Sequence, residues 1–283
     1  MLLRRRYFIF VIALIIMGLT GCNVTRHLES NEYLLIKNKI QVKGHTVPIE
    51  DLAPYLQQQP NGKFLGVFRS NIEFYYLGSK GKETKFKKWL RTKVGKPPVI
   101  LDTSLVSTAA KQMGLYLNNL GYFHSLVTDS VVYKKKKATV VYRIETAKPY
   151  RIRNITYSIA DTQIARFLYR DTARTLIKTG NNYDTYVFDE ERTRITSNLR
   201  NFGFFRFAPN FIKYTIDTNL RSHQLDLTLE VVNSVVPQPG AFSTFRIIPH
   251  RRFFVNKIYI YPEYDHVNPF RGNYDTIVLR YRI

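Results

Sequence analysis

Two stretches of the chain carry the same succession of hydrophobic patterns. In the first, Tyr33 to Val42 (YLLIKNKIQV) has the composition of a strand, Gly44 punctuates it, and Pro48-Ile49-Glu50-Asp51-Leu52 opens a short helical pattern ending near Pro60. Asp102 or Thr103 can cap a longer helix in which Leu105, Ala109, Met113, Tyr116, Leu117 and Leu120 share one face. Gly121 stands where a left-handed helix end is wanted. Leu126-Val127, Val131 to Tyr133 and Ala138 to Ile144 then read as two strands joined at Lys134 to Lys137. The order is β-α-α-β-β.

From Tyr150 the order repeats. Tyr150 to Ile159 is strand-like, Asp161 to Ile177 is helical in pattern, and Asp184 can cap a helix carrying Ile195, Leu199 and Phe202 on one face. Gly203 stops it, and Phe211 to Asp217 with Leu225 to Val232 alternate as a hairpin pair. The match is residue by residue where the helices end: Leu117-Asn118-Asn119-Leu120-Gly121-Tyr122-Phe123 aligns with Leu199-Arg200-Asn201-Phe202-Gly203-Phe204-Phe205 at an offset of 82. Phe253 to Ile260 resembles Tyr150 to Tyr157, so a third copy is expected to begin near residue 250. Tandem small α+β units of this kind place function on surfaces and edges more than in one large cavity.

The N-terminus has a different grammar. Arg4 to Arg6 precede an unbroken apolar run from Tyr7 to Met17, and Leu19-Thr20-Gly21-Cys22 follows. This is the layout of a secretory signal peptide, and the run is short of the roughly 20 apolar residues a membrane span needs. The tetrad resembles a bacterial lipobox, which implies cleavage before Cys22 and acylation of its thiol. Cys22 is the chain's single cysteine, which excludes a disulfide framework and any zinc site built from several thiolates. The expected organisation is a lipoprotein signal peptide over 1–21, a linker over 22–32, a module over 33–148 with an insertion at 61–101, a module over 149–233, a linker over 234–249, and an incomplete third module over 250–283.

Composition sharpens this reading at two points. With 45% hydrophobic and 14% aromatic residues the chain can bury real cores. Its 43 basic and 21 acidic residues leave a net charge of +22, which suits an anionic partner or lipid surface. The charge is uneven: Asn61 to Pro98 holds ten basic residues against Glu73 and Glu83. Within that segment Phe86, Trp89, Leu90 and Val94 fall on one face of a basic helix, making Lys85, Lys87, Lys88, Trp89 and Arg91 candidates for docking on anionic headgroups. The competing reading packs that stripe on the first module and leaves the lysines solvated. Export argues against nucleic acid as the partner. Catalytic patterns are poor: the six histidines form no His-x-x-x-His pair, there is no G-x-S-x-G, and Asp189-Glu190-Glu191 reads as first-turn charge favouring a helix dipole. No cofactor and no enzymatic activity are expected.

The ordered βααββ units, the helix-ending Leu-x-x-x-Gly-Tyr/Phe-Phe motif at Gly121 and Gly203, and Lys148-Pro149-Tyr150-Arg151-Ile152 at the module boundary resemble POTRA domains. The chain is similar to the periplasmic part of BamA/TamA-type outer-membrane assembly factors, and the lipobox places it nearest the lipidated TamA-like (TamL) subgroup. The resemblance covers most of residues 30 to 260 and departs in two respects, the long insertion at 61–101 and the missing membrane barrel. A barrel needs about 8 strands of 9 to 11 residues. The favoured expectation is that this sequence is a fragment; the other is a protein working without a barrel.

The resemblance implies an α+β fold of two helices on a three-stranded mixed sheet. It also implies a substrate-receiving scaffold at the outer membrane that binds unfolded outer-membrane proteins by β-augmentation and contacts accessory proteins, a TamB-like one among them. In that fold the second strand of each module lies at an edge, which nominates Phe211, Ile212, Tyr214 and Ile216 together with Val127 and Val131. The alternative function is a barrel-less envelope lipoprotein that docks on anionic lipid through its basic surface.

Overall fold

The two long helices start and stop by the same local chemistry, 82 residues apart. Asp102 accepts from the Ser104 amide (2.8 Å) at the head of one, and Asp184 accepts from the Tyr186 amide (2.8 Å) at the head of the other. At their ends Gly121 and Gly203 take φ of +83° and +94°. The amides of Tyr122 and Phe204 reach back to the carbonyls of Leu117 and Leu199 (2.9 and 3.0 Å), and those glycine amides reach Asn118 and Arg200 (3.0 Å each). Both are Schellman closures, in which a left-handed glycine satisfies carbonyls the helix leaves unpaired.

Around these helices the computed structural model, which describes residues 24–45, 47–62, 70–218, 222–238 and 244–258, builds two α+β modules. Module 1 runs β1 (Leu34–Gly44), α1 (Ile49–Leu52, extended by a 3-10 turn at Ala53–Tyr55), α2 (Ser70–Ser79), α3 (Lys85–Trp89), α4 (Thr103–Asn119), β2 (Leu126–Lys134) and β3 (Lys137–Thr146). Module 2 runs β4 (Arg151–Ile159), α5 (Thr162–Asp171), α6 (Thr185–Asn201), β5 (Ile212–Asp217) and β6 (Gln224–Val231). In each, the last strand is central: the sheet orders are β1-β3-β2 and β4-β6-β5, with the first strand parallel and the second antiparallel to it.

Helices pack on one face of each sheet. In module 1, Met113 and Leu117 of α4 are fully buried against Val140, Tyr142 and Ile144 of β3. The inward face of α4 starts at Val106 and Ala110, so Leu105, expected on it, is only half-buried. In module 2, Ile195 and Leu199 of α6 meet Ile164, Leu229 and Phe207. A second cluster around Tyr150, Ile177, Tyr183 and Phe188 takes in Phe123 of module 1, so the cores are joined at the boundary. Among the described residues no helix is long and apolar enough to cross a membrane.

Several segments differ from expectation. The insertion at 61–101 folds into α2 and α3, with α3 running into a wide π-type turn at Leu90–Val94, and Ile72 of α2 is buried with Val24 and Leu34. The part of the 22–32 linker that is described is therefore packed: Val24 is in that cluster and the Lys136 ammonium reaches the Ser30 carbonyl (2.6 Å). The same bond ties the turn between β2 and β3 to that linker. The linker at 234–249 holds a two-stranded hairpin, β7 (Ser234–Pro237) with β8 (Phe245–Ile248), because Ser-Val-Val-Pro finds an antiparallel partner. Residues 249–258 carry no regular element, and the rest of the expected strand to Ile260 lies outside the described residues, as do the signal peptide and Cys22.

Candidate functional site: the open strand edges

A sheet of three strands has two edges, and here they are not equivalent. The outer side of β1 is partly covered near its start, where Leu35 donates to Val99 (2.9 Å) and Leu101 donates to Tyr33 (2.8 Å). In β4 the amide of Ile152 donates to Asn181 and that of Gly180 to the Ile152 carbonyl (2.9 and 2.7 Å). In each module the stretch entering the long helix, α4 or α6, thus adds a short pairing to the first strand. The other edge, β2 and β5, has no such strip among the described residues.

Antiparallel pairing alternates, so each residue of an edge strand turns its N–H and C=O either into the ladder or away from the sheet. In β2 the hairpin closes on Lys134 opposite Lys137. Pairing toward β3 therefore falls on Leu126, Thr128, Ser130, Val132 and Lys134. The backbone groups of Val127, Asp129, Val131 and Tyr133 point outward. On the far side of β3, the Lys136 carbonyl accepts from Leu34 of module 1 (2.9 Å), the phase this alternation requires. In β5 the Val232 amide bonds the Phe211 carbonyl (3.0 Å), which sets Ile212, Tyr214 and Ile216 outward.

The two open edges differ in length and in guarding. Arg192 of α6 donates from Nε to the Ile212 carbonyl (3.2 Å), so one outward acceptor of the shorter strand is already taken. Phe211, expected on that strand, instead closes a 3-10 turn at Pro209–Phe211 and packs against His250 (ring centroids 4.6 Å apart). The Pro209-Asn210 pair explains this, since proline cannot donate to a ladder and favours a turn. Ile212 is buried, and Tyr214 donates its hydroxyl to the Phe188 carbonyl (3.1 Å) beneath the Arg192 guanidinium. Burial pushes the Tyr214 hydroxyl pKa well above the ordinary tyrosine value. These two side chains fasten β5 to α6, and only Ile216 among the four nominees on this strand is exposed.

β2 is the freer edge. Its inward side chains Val127 and Val131 are half-buried and continue the module 1 core toward the strand's open side. Opposite them α4 carries a glycine: a Cβ at Gly114 would find only the Val127 methyl at 3.9 Å. The side chains of an added strand would continue the Val127/Val131 row beside α4. Leu126, Val132 and Tyr133 are exposed on the same strand. Gly114 had a signal in the sequence, because a glycine inside a helix costs about 1 kcal/mol relative to alanine. The guard at Ile212 had none, as it depends on which way Arg192 turns.

The lipid-surface nominees divide. Trp89 and Phe86 are exposed and stacked (centroids 5.9 Å, 27° between planes), while Leu90 of the same stripe is buried. Lys87 is turned back onto the Lys80 carbonyl (2.8 Å) and Arg91 pairs with Glu83 (2.9 Å), so Lys85 and Lys88 are the solvated cations beside the rings.

Two polar groups are buried in structural roles. Glu191 is 1% exposed: it holds Arg194 through both oxygens (2.8 Å each) and accepts from Thr175 and the Leu176 amide. It is not a solvated dipole charge. His250 is likewise buried, donating its amide to the Asp161 carboxylate (2.8 Å).

No family model matches the chain, and no curated protein does. Among solved structures it is similar to POTRA domains 3–5 of Haemophilus influenzae BamA, at 14% identity and a TM-score of 0.38, over 72% of this chain and 68% of that one. It is also similar to POTRA domains 1–2 of Omp85 from Anabaena (10% identity, TM-score 0.32, 74% of this chain and all of that one). A third likeness is to CdiB from Escherichia coli (13% identity, TM-score 0.29, 74% of this chain and 29% of that one).

Proposed function

We propose that this chain is an exported, lipid-anchored POTRA-type array that receives unfolded outer-membrane proteins for an insertion or translocation factor of the BamA/TamA kind, and that no reaction is catalysed. The observation that carries the reading is the open outer edge of β2, with four residues' worth of unpaired backbone beside the half-buried Val127/Val131 row. An extended substrate satisfies those groups by main-chain hydrogen bonds whatever its sequence, while its alternate side chains continue the Val127/Val131 row and give mild selectivity. A receiver of many different unfolded chains needs that combination. The lipobox at Cys22 supports an outer-membrane anchor, and a TamB-like accessory protein fits the same scaffold role. Outer edges presented twice in tandem raise the effective concentration of the second once the first is engaged.

A third unit beginning near residue 250 is part of the proposal. The Phe253 amide donates to the Gly203 carbonyl (2.7 Å) as the Tyr150 amide donates to Gly121 (2.9 Å), so the chain leaves module 2 as it enters it.

The test uses proline. Val131→Pro removes one outward N–H and leaves the ladder to β3 intact, and it is expected to cut crosslinking to an unfolded barrel protein by about tenfold with the fold retained. Unchanged crosslinking at full folding would overturn the edge assignment. Replacing Cys22 with Ala should abolish acyl labelling; labelling that persisted would remove the lipobox from the account.

A second reading, docking on anionic lipid, is favoured by the solvated Phe86/Trp89 stack between Lys85 and Lys88. Trp89 fluorescence should shift to the blue on vesicles containing phosphatidylglycerol and stay fixed on zwitterionic ones. No shift on either rules this surface out.

A further inference from the structure

A cluster of arginines without ion-pair partners among the described residues lies away from the strand edges, on α5 and the turn that follows. Arg166, Arg170 and Arg174 recur every four residues and line an open groove of about 530 Å³, whose far wall is supplied by Arg252 from the segment leaving module 2. Among the described residues none of the four has an ion-pair partner. The one carboxylate lining the groove, Asp171, is already committed to Arg194 and Asn198. Arg252 is held in place by its Nε bond to the Phe202 carbonyl (2.6 Å). The floor is apolar: the Phe167 and Phe202 rings pack 4.6 Å apart, and Phe202 is half exposed.

We propose that this groove is a second docking site, for an extended acidic segment of a partner polypeptide with carboxylates at alternate positions. The spacing is the argument for an extended peptide. Four residues of helix rise about 6 Å, and two residues of extended chain rise about 6.6 Å, so carboxylates on one face of a strand meet successive guanidinium groups in register. Guanidinium forks bind carboxylates through paired hydrogen bonds, which favours acidic side chains over a merely apolar ligand. The site is separate from the β2 edge, so the two can be engaged at once, one reading backbone and the other charge.

The test is fluorescence anisotropy of a labelled peptide alternating Glu and Leu, titrated with the full chain. Binding is expected, with weakening as salt rises, because exposed charge pairs are screened. Arg166→Glu with Arg170→Glu should weaken it by about tenfold or more, and the milder Arg166→Gln with Arg170→Gln by an intermediate factor, both with unchanged circular dichroism. A peptide with Gln in place of Glu should not bind. Val131→Pro should leave the affinity unaltered. The proposal fails if the arginine variants bind as the parent does, if Val131→Pro abolishes binding, or if the peptide is ignored while phosphatidylglycerol vesicles bind in an Arg166- and Arg170-dependent way.

Discussion

Gly121 and Gly203 show how much a single position can decide. Each ends a helix in a conformation that costs an L side chain about 1–2 kcal/mol, and each carries the junction to the next segment. A Cβ at Gly203 would lie 2.6 Å from the Phe253 carbonyl, and one at Gly121 would lie 3.0 Å from the Tyr183 Cβ. Gly203→Ala is therefore expected to cost about 2 kcal/mol and to expose Phe253, read by thermal denaturation together with proteolysis after Arg252; an unchanged cleavage rate would contradict the junction. Glu191→Ala leaves a partly buried guanidinium short of a partner and should cost about 3 kcal/mol. The glycines were legible in the sequence because a residue type and a helix end coincide. Glu191 was not, because which of Asp189, Glu190 and Glu191 turns inward depends on the phase of α6 and on where residues 172–177 cross it. Asp226 is paired with Arg153, whose guanidinium holds its carboxyl pKa below the ordinary value. That contribution is present above the ordinary aspartate range near pH 3.9 and is lost as pH falls through the lower folded value. Asp226→Asn should flatten the acid limb of a stability–pH profile, and an unaltered limb would show the pair to be idle.

At the scale of elements, the strands and their order could be read from alternation, and the long helices from their caps and stop signals. The edges could be nominated only through the pattern of pairing, which no local signal contains. β5 looked as good as β2 in sequence because Phe-Ile-Lys-Tyr-Thr-Ile alternates well. Its first residue is drawn into the Pro209 turn and its first outward carbonyl is taken by Arg192. The alternation in β2 gives a prediction specific to one residue step. Val132→Pro interrupts the ladder at Thr139 and should destabilise module 1 by about 3 kcal/mol or more, whereas Val131→Pro, whose N–H points outward, should be tolerated within about 1 kcal/mol. Chemical denaturation of the two variants decides it: a larger cost for Val131→Pro would mean that the phase of the ladder is reversed, and equal costs would contradict the alternation. The insertion shows the opposite limit: its charge was legible, but its division into α2, α3 and a wide turn was not. Leu90 turns inward while Phe86 and Trp89 turn out, which a single amphipathic stripe does not anticipate.

Over the whole molecule, the two modules are one repeated solution whose junctions repeat as well, and each buries tyrosines. Burial pushes the Tyr142 hydroxyl up to about 12 in module 1 and raises Tyr183 in module 2. An unfolded tyrosine ionises near pH 10, so stability from these groups is complete below that pH and is lost as pH rises through the folded values. Exposed tyrosines such as Tyr133 and Tyr169 ionise near pH 10, so tyrosinate absorbance should rise in two steps, the second coinciding with loss of far-ultraviolet ellipticity; a single step near pH 10 that left the fold intact would contradict the burial. The positive charge is spread over the same frame in two places, the insertion beside Trp89 and the α5 groove, while the β2 edge works through backbone. The central claim is that this edge takes an added strand. It is tested most directly by amide hydrogen exchange, residue by residue, with and without a peptide of outer-membrane β-strand sequence. The account predicts new protection at the outward amides of Val127, Asp129, Val131 and Tyr133 and little change at Thr128, Ser130 and Val132, which are already bonded to β3. Protection that ignores this alternation, or none along 126–134 at saturating peptide, would contradict it.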